Sequence, residues 1–320
     1  MYKNKKISLV VIAHNESRLI GPTLEGVPEF IDKVYVVDDA STDYEQNKVV
    51  LERAKTDHRI DLIRHKTNQG PGGAIITGYL KSFNENLDIV VVVGGDNQML
   101  LKEVERFLDP IIDGEADYVK GNRFLLGQLD DTLAKMPKTR LVGNWLITGI
   151  AKISSGYFKI MDFVDGYTAI SKEAIAQIDW SKAWKRYGYP MDFLIRLNAY
   201  GLIVKDVPRT AVYSSNEKQS QIKGFKYFLS VSPMLLRGFL WRLKFKYLYR
   251  DFHPLFLFYW LGFILLPIGL LLGVYLTLDW LFAGGMRVTG SKSVLSALLI
   301  LTGLQFLFFA MFFDMQESEK

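Results

Sequence analysis

The sequence predicts an α/β protein: a mostly parallel sheet flanked by helices, followed by interfacial amphipathic helices and a two-helix transmembrane hairpin. Three observations carry this. Short β-branched runs alternate with amphipathic stretches through the first half of the chain, the order in which βαβ units are strung together. The run at 90–93 is apolar at every position, as a strand covered on both faces requires. Charged residues, 23% of the chain, almost disappear beyond Leu255, so a mean hydropathy of +0.10 averages two unlike regions.

Strands are expected at 8–13, 33–38, 60–64, 89–93 and 118–121, and helices at 19–25, 44–55, 73–84 and 101–113. Together they make a domain over 1–222. Between 223 and 252, Phe225, Tyr227, Phe228, Leu235, Leu236, Phe239, Leu240 and Trp241 interleave with Lys223, Lys226, Arg237, Arg242, Lys244, Lys246 and Arg250. That pattern suits one or two interfacial helices, broken near Pro233; an ordinary packing helix is the alternative. The hairpin over 253–320 has apolar spans at 255–278 and 294–313, about 24 and about 20 residues and long enough to cross a bilayer.

Basic residues beside such spans mark the cytoplasmic side and contact with anionic headgroups. The first domain and both termini are therefore expected in the cytoplasm, with the bilayer rather than nucleic acid as partner of the basic cluster. The hairpin also offers a surface for a homo-oligomer. There is no cysteine, which excludes disulfides and thiolate metal sites. The first apolar run is too short for a signal-peptide core, so the protein is not expected to be secreted.

In a sheet of this kind ligands bind beyond the carboxyl ends of the strands, and residues suited to that follow the strands. Asp38 and Asp39 end the second one. A single aspartate there can cap the next helix, as Asp43 can; two adjacent acids resist that explanation. Asn68-Gln69-Gly70-Pro71-Gly72-Gly73-Ala74 joins a strand to a helix, where glycines allow close backbone approach to a ligand and amide hydrogens gather. Gly95-Asp96-Asn97-Gln98 follows the most hydrophobic strand. A carboxylate with an amide oxygen two residues on can hold a hard divalent cation, Mg2+ or Mn2+, against a diphosphate.

In order and spacing, His14-Asn15-Glu16, the 37–43 run, the 68–74 turn and Gly95-Asp96-Asn97-Gln98 resemble glycosyltransferase family 2, with its GT-A (Rossmann-like) fold. Gly121-Asn122-Arg123-Phe124 and Asp162-Phe163-Val164-Asp165-Gly166-Tyr167 continue the pattern. With two C-terminal spans the chain is most similar to the polyprenyl- and dolichyl-phosphate glycosyltransferases. The resemblance implies a nucleotide-sugar donor and a polyprenyl or dolichyl phosphate acceptor. It implies that His14, Glu16, Asp38, Asp39 and Gly70 contact the nucleotide, and that Asp96 and Gln98 handle metal and diphosphate. Arg123 and Arg209 would meet donor or acceptor phosphate. Lys218 and Ser220 would lie on a closing loop, and Lys244 and Lys246 near the lipid phosphate. Asp165 either touches the acceptor or shapes a turn. Asp192 stands where relatives with hydroxyl acceptors keep a base, and could instead hold the sugar or Arg123, or cap a helix. Relatives often carry an acid where Gly94 stands; its loss favours a UDP-sugar. Other membrane acceptors and a non-catalytic scaffold are the competing readings.

Overall fold

The computed structural model describes residues 1–125, 138–210 and 224–317. Its core is a seven-stranded sheet in the order β3-β2-β1-β4-β6-β5-β7. The strands are β1 (Ile7–Ala13), β2 (Lys33–Asp38), β3 (Ile60–Arg64), β4 (Ile89–Gly94), β5 (Tyr118–Asn122), β6 (Thr168–Ser171) and β7 (Val204–Pro208). The first four are parallel neighbours. β6 runs antiparallel between β4 and β5, and β7 adds parallel to β5. Alternating residues of β1 face two layers. Leu9 and Val11 join Ile20 and Leu24 of α1 (Ile20–Glu25), Val50 of α2 (Tyr44–Thr56), and Phe107 and Leu108 of α4 (Glu105–Ile112) in one core. On the other face α3 (Pro71–Asn84) lies directly on β1. A Cβ at Gly78 would stand 2.4 Å from Val10 Cγ1, and Ser82 pairs with Ser8 at 2.9 Å.

The strand and helix pattern read from the sequence is present, with differences at its ends. β6 and β7 were not anticipated: they are four and five residues long, and Lys205 and Asp206 break the apolar pattern of β7. The helix expected at 101–113 is a 3-10 turn, Leu101–Glu103, followed by α4. After α5 (Lys138–Ser155), α6 (Lys172–Gln177) and α7 (Tyr189–Ala199), the chain enters α8 (Gly224–Lys244).

The first compact unit extends to Phe239, beyond the boundary at 222 that composition suggests. The reason is packing: Val231 and Met234 of α8 approach Gly188, and Gly238 lets Ile195 come within 2.8 Å of where its Cβ would be. Contrary to expectation, α8 is unbroken at Pro233. Pro233 is exposed, and the carbonyl it leaves unpaired belongs to exposed Leu229, so neither loss falls in the core. Leu229, Leu236 and Leu240 form an exposed apolar stripe along the same helix.

The second unit, Leu240–Lys320, is built on two 28-residue helices, α9 (Leu255–Phe282) and α10 (Gly290–Glu317). Small residues seven apart line the seam between them: Gly262 and Gly269 on α9, and Ser296, Gly303 and Ala310 on α10. Their backbones meet closely, since a Cβ on Gly303 would lie 2.6 Å from the Leu266 nitrogen; such seams hold helices together where no hydrophobic effect can. Ser296 Oγ donates to the Gly269 carbonyl at 2.9 Å. Most of the remaining surface is uncovered leucine and phenylalanine, with Leu271 71% and Phe308 65% exposed. Both helices are long and apolar enough to cross a membrane, and that uncovered surface separates them from the core helices of a soluble protein. One end of the pair is fastened by Arg242, whose guanidinium makes bonds of 2.9 and 2.6 Å to Asp314. Tyr247 and Tyr259 donate to the same carboxylate. At the other end Asp279 accepts from the Arg287 amide at 2.9 Å.

Candidate active site

Because β1 to β4 are parallel, Ala13, Asp38, Arg64 and Gly94 finish on one edge of the sheet. β1 lies between β2 and β4, so the chain reverses its winding there, the place where such sheets open a ligand crevice. Three non-glycine residues in the left-handed region, Asn15 (φ 60°), Ala40 (φ 57°) and Asn97 (φ 53°), each follow one of these strands. Such conformations cost energy and gather at functional edges.

The two adjacent acids that resist a structural explanation in the sequence have one in the fold. Asp38 is fully buried and accepts from the Ser41 amide (2.8 Å), Asn47 Nδ2 (2.8 Å) and Gln46 Nε2 (3.3 Å), with Arg64 at 3.3 Å. Burial alone would raise its pKa; the hydrogen bonds and Arg64 outweigh it and hold it below the usual carboxylate range. Asp39 accepts from the Gln69 and Gly70 amides at 2.8 and 2.7 Å and lies 2.8 Å from His65 Nδ1. Its backbone carbonyl is 2.9 Å from His14 Nδ1. The glycine turn, read from the sequence as a place where backbone could approach a ligand, has its amides and its close approaches inside the protein. The Gly70 amide is taken by Asp39, and the glycines make room for protein: a Cβ on Gly70 or Gly72 would come within 2.6 Å of the Lys185 or Trp184 carbonyl. Glu16 begins the rise into α1, its amide donating to Gln46 Oε1 at 2.7 Å.

Asp96 sits in the turn after β4, with its Oδ1 accepting from the Gln98 amide at 3.2 Å. Across the edge, β5 and β7 end at Asn122 and Pro208, which brings Arg123 and Arg209 to the same side. Arg123 is held bidentate by Asp162, at 2.7 and 2.9 Å, with Asp165 at 3.3 Å. Arg209 is 5% exposed and is committed to Asp165 Oδ2 (2.7 Å from Nε) and to the Gln98 carbonyl (3.2 Å). It braces the β4 turn from behind. Asp165 also accepts from the Tyr167 amide at 2.9 Å, so it shapes the turn and joins the two arginines at once. A Cβ on Gly121 would press on both Asp165 and Arg209.

Three residues of this cluster were given no role from the sequence, although Asp162 stands in a motif quoted for the resemblance. Asp162 is the main partner of Arg123. Lys120 is fully buried, its ammonium donating to the Asp165 carbonyl; burial lowers its pKa, which the surrounding aspartates only partly offset. Glu103 holds Thr210 through its amide and hydroxyl at 2.9 and 2.8 Å. A lysine inside an otherwise apolar strand was the one signal available.

Asp192 occupies the first turn of α7, where it accepts from the Trp184 amide and from Arg196 Nε, both at 2.8 Å. It thereby fixes the segment lying on the glycine turn. Lys218 and Ser220 lie outside the described residues. In the second unit Lys244 is exposed, 6.0 Å over the Trp260 ring. Lys246, expected near the lipid phosphate, is instead buried. Burial, with Arg242 adding to it, pushes its pKa down to about 8.

Residues 8–179 match the model of glycosyl transferase family 2. The chain is 29% identical over 241 residues to the UDP-N-acetylglucosamine–dolichyl-phosphate N-acetylglucosaminyltransferase of Methanococcus voltae, covering 70% of this chain and 94% of that one. It is 27% identical over 212 residues to the undecaprenyl-phosphate mannosyltransferase of Micrococcus luteus, covering 65% and 84%. Among solved structures, glucosyl-3-phosphoglycerate synthase of Mycobacterium tuberculosis in complex with Mn2+, UDP-glucose and phosphoglyceric acid superposes with a TM-score of 0.53. At 18% identity it covers 75% of this chain and 80% of that one, a likeness of fold. The chain belongs to glycosyl transferase family 2 and is a glycosyltransferase.

Proposed function

We propose that the protein transfers a hexose from a nucleotide sugar, a UDP-sugar in preference, to the phosphate of a membrane polyprenol or dolichol, inverting the anomeric centre. One observation carries this reading. A sheet edge bearing Asp39 and Asp96 on one side and Arg123 on the other is joined, in a single chain, to a hairpin whose apolar surface is uncovered. Two relatives named for polyprenyl-type phosphate acceptors support it. The basic flank before the hairpin supports a catalytic unit and termini on the cytoplasmic side.

A phosphate monoester has its second pKa near 6, so the acceptor arrives as an anion able to attack without a strong base. That agrees with Asp192 being spent on Trp184 and Arg196. The acceptor oxygen forms a bond to the anomeric carbon as the bond to the nucleoside diphosphate breaks. The chain's own contribution is positioning and charge: Asp39 and Glu16 toward the nucleoside, Arg123 toward phosphate oxygens. A Mg2+ or Mn2+ ion fits beside Asp96 if it takes most of its oxygens from the donor. Among the described residues no three His, Cys, Asp or Glu side chains converge, and one carboxylate plus a diphosphate is a donor set for a hard cation. When bound, such an ion neutralises charge on the departing diphosphate.

The test is a transfer assay on purified protein with labelled UDP-glucose, UDP-N-acetylglucosamine or GDP-mannose and polyprenyl phosphate, with and without Mg2+ or Mn2+. Metal-dependent, organic-extractable label from one donor is the expected result. Donor binding without extractable product from any of the three would overturn the acceptor assignment.

A further inference from the structure

Gln305 lies near the middle of α10, about 22 Å from one end of the helix and about 18 Å from the other at 1.5 Å per residue. It is exposed, and its amide has no hydrogen-bond partner among the described residues. It also lies away from the seam: Ser296, Gly303 and Ala310 face α9, and Gln305 is two residues, or about 200°, beyond Gly303. Around it is a shallow groove of about 430 Å³ lined by Phe258, Thr302, Phe306, Phe309 and Phe313.

An unpaired carboxamide at this depth is costly, because hydrocarbon offers no hydrogen bonds. The headgroups are too far for a glutamine to reach. Neither an acyl chain nor an isoprenoid tail could satisfy it, although either would fit the aromatic walls. The amide is, however, electrostatically complementary to itself, with a donor and an acceptor on one planar group. A twofold axis along the membrane normal sets equivalent residues of two copies at the same depth, and makes their contact reciprocal.

We propose that the Thr302–Gln305–Phe309 face of α10 is a homodimer interface within the membrane, closed by two reciprocal hydrogen bonds between the Gln305 amides of two copies. The phenylalanines pack around the pair and exclude lipid from it. Thr302, one turn away, adds a second polar group on the same face. Any other membrane partner would need its own polar group at this depth.

The absence of cysteine makes the test clean. Single-cysteine variants of the full chain that keep Gln305, Thr302→Cys and Phe309→Cys, are reconstituted in phosphatidylcholine bilayers and oxidised, with Leu271→Cys on α9 as the control. Disulfide-linked dimers are expected from the first two, at several times the yield of the control. In parallel, the mass of Gln305→Leu and Gln305→Asn is measured in detergent. Leucine, which is at ease in lipid, should leave a monomer, and asparagine should retain the dimer. A wild-type protein that is monomeric in both bilayer and detergent would overturn the proposal. So would a Gln305→Leu dimer as strong as the wild type, or equal cross-linking from all three cysteine positions. Loss of lipid-acceptor use in Gln305→Leu with no change of mass would assign the amide to a lipid and likewise overturn it. None of these readouts depends on which sugar is transferred.

Discussion

The two halves of the active edge are held by different physics. Beyond β1 to β3, Asp39 is locked by main chain, taking the Gln69 and Gly70 amides, while Asp38 takes the Ser41 amide together with the Asn47 and Gln46 side chains. Beyond β5 and β7 the structure is held by side chains, Arg123 on Asp162 and Arg209 on Asp165. A carboxylate that organises backbone amides cannot leave without undoing a turn. An arginine held by carboxylates can exchange one anion for another, and Arg123, 27% exposed against 2% for Asp162, is placed to do so. The half proposed for the nucleotide is thus built to stay, and the half proposed for phosphate to trade partners.

Four substitutions test that contrast, in order of expected effect. Asp96→Ala should cut transfer by about 10³-fold, as losing a group that acts on developing charge does, with an unchanged circular dichroism spectrum and melting temperature. Wild-type turnover would remove Asp96 from the site. Asp39→Ala should cost both activity and about 2–4 kcal/mol of stability, because two amides lose their acceptor; urea unfolding measures it. An unaltered midpoint would show that the Asp39 carboxylate does not lock its turn. Asp162→Asn should reduce transfer roughly tenfold, about the worth of one charged hydrogen bond, through acceptor KM more than donor KM, and destabilise less than Asp39→Ala. The reverse ranking would erase the distinction between the halves.

The smallest effect concerns Asp206, whose carboxyl is pushed up to about 6 by burial, despite bonds from Met161 and Asn122; its Oδ1 has no partner. The folded pKa lies above the ordinary value of 3.8. Its contribution is therefore fully present below that value and is lost as pH rises through about 6. Asp206→Asn should remove this component, so that its melting temperature gains on the wild type between about pH 4 and 7. A constant difference across that range would show that Asp206 does not titrate with folding.

The sequence made β1 to β4 and their carboxyl ends legible because each strand is built on valine, isoleucine or leucine, and β2 and β4 end in an acid and a glycine. It hid β6 and β7, where Thr168, Ser171, Lys205 and Asp206 dilute the pattern. The site divides in the same way. Glu16, Asp39, Asp96 and Arg123 follow strands and could be named. Glu103 could not, and Asp162 was named only within a motif and given no role, since their partners lie 107 and 39 residues away and ion pairing leaves no local periodicity. The basic flank misled in part. Composition cannot separate exposed Lys244 from Arg242, which is buried against an aspartate 72 residues on.

The fastened ends of the hairpin have a consequence for the host membrane. From Tyr259, level with the Arg242–Asp314 cluster, to Asp279, helix α9 rises about 30 Å, close to the hydrocarbon thickness of an ordinary bilayer. Polar groups stand at both ends of that interval and leave it little slack. Longer acyl chains would draw Asp279 or the Arg242 cluster toward hydrocarbon, and shorter ones would bare leucine to water. With the hairpin spanning a bilayer as proposed, hydrophobic thickness is a quantity it is fitted to, and a means by which one membrane of a cell would retain it in preference to another.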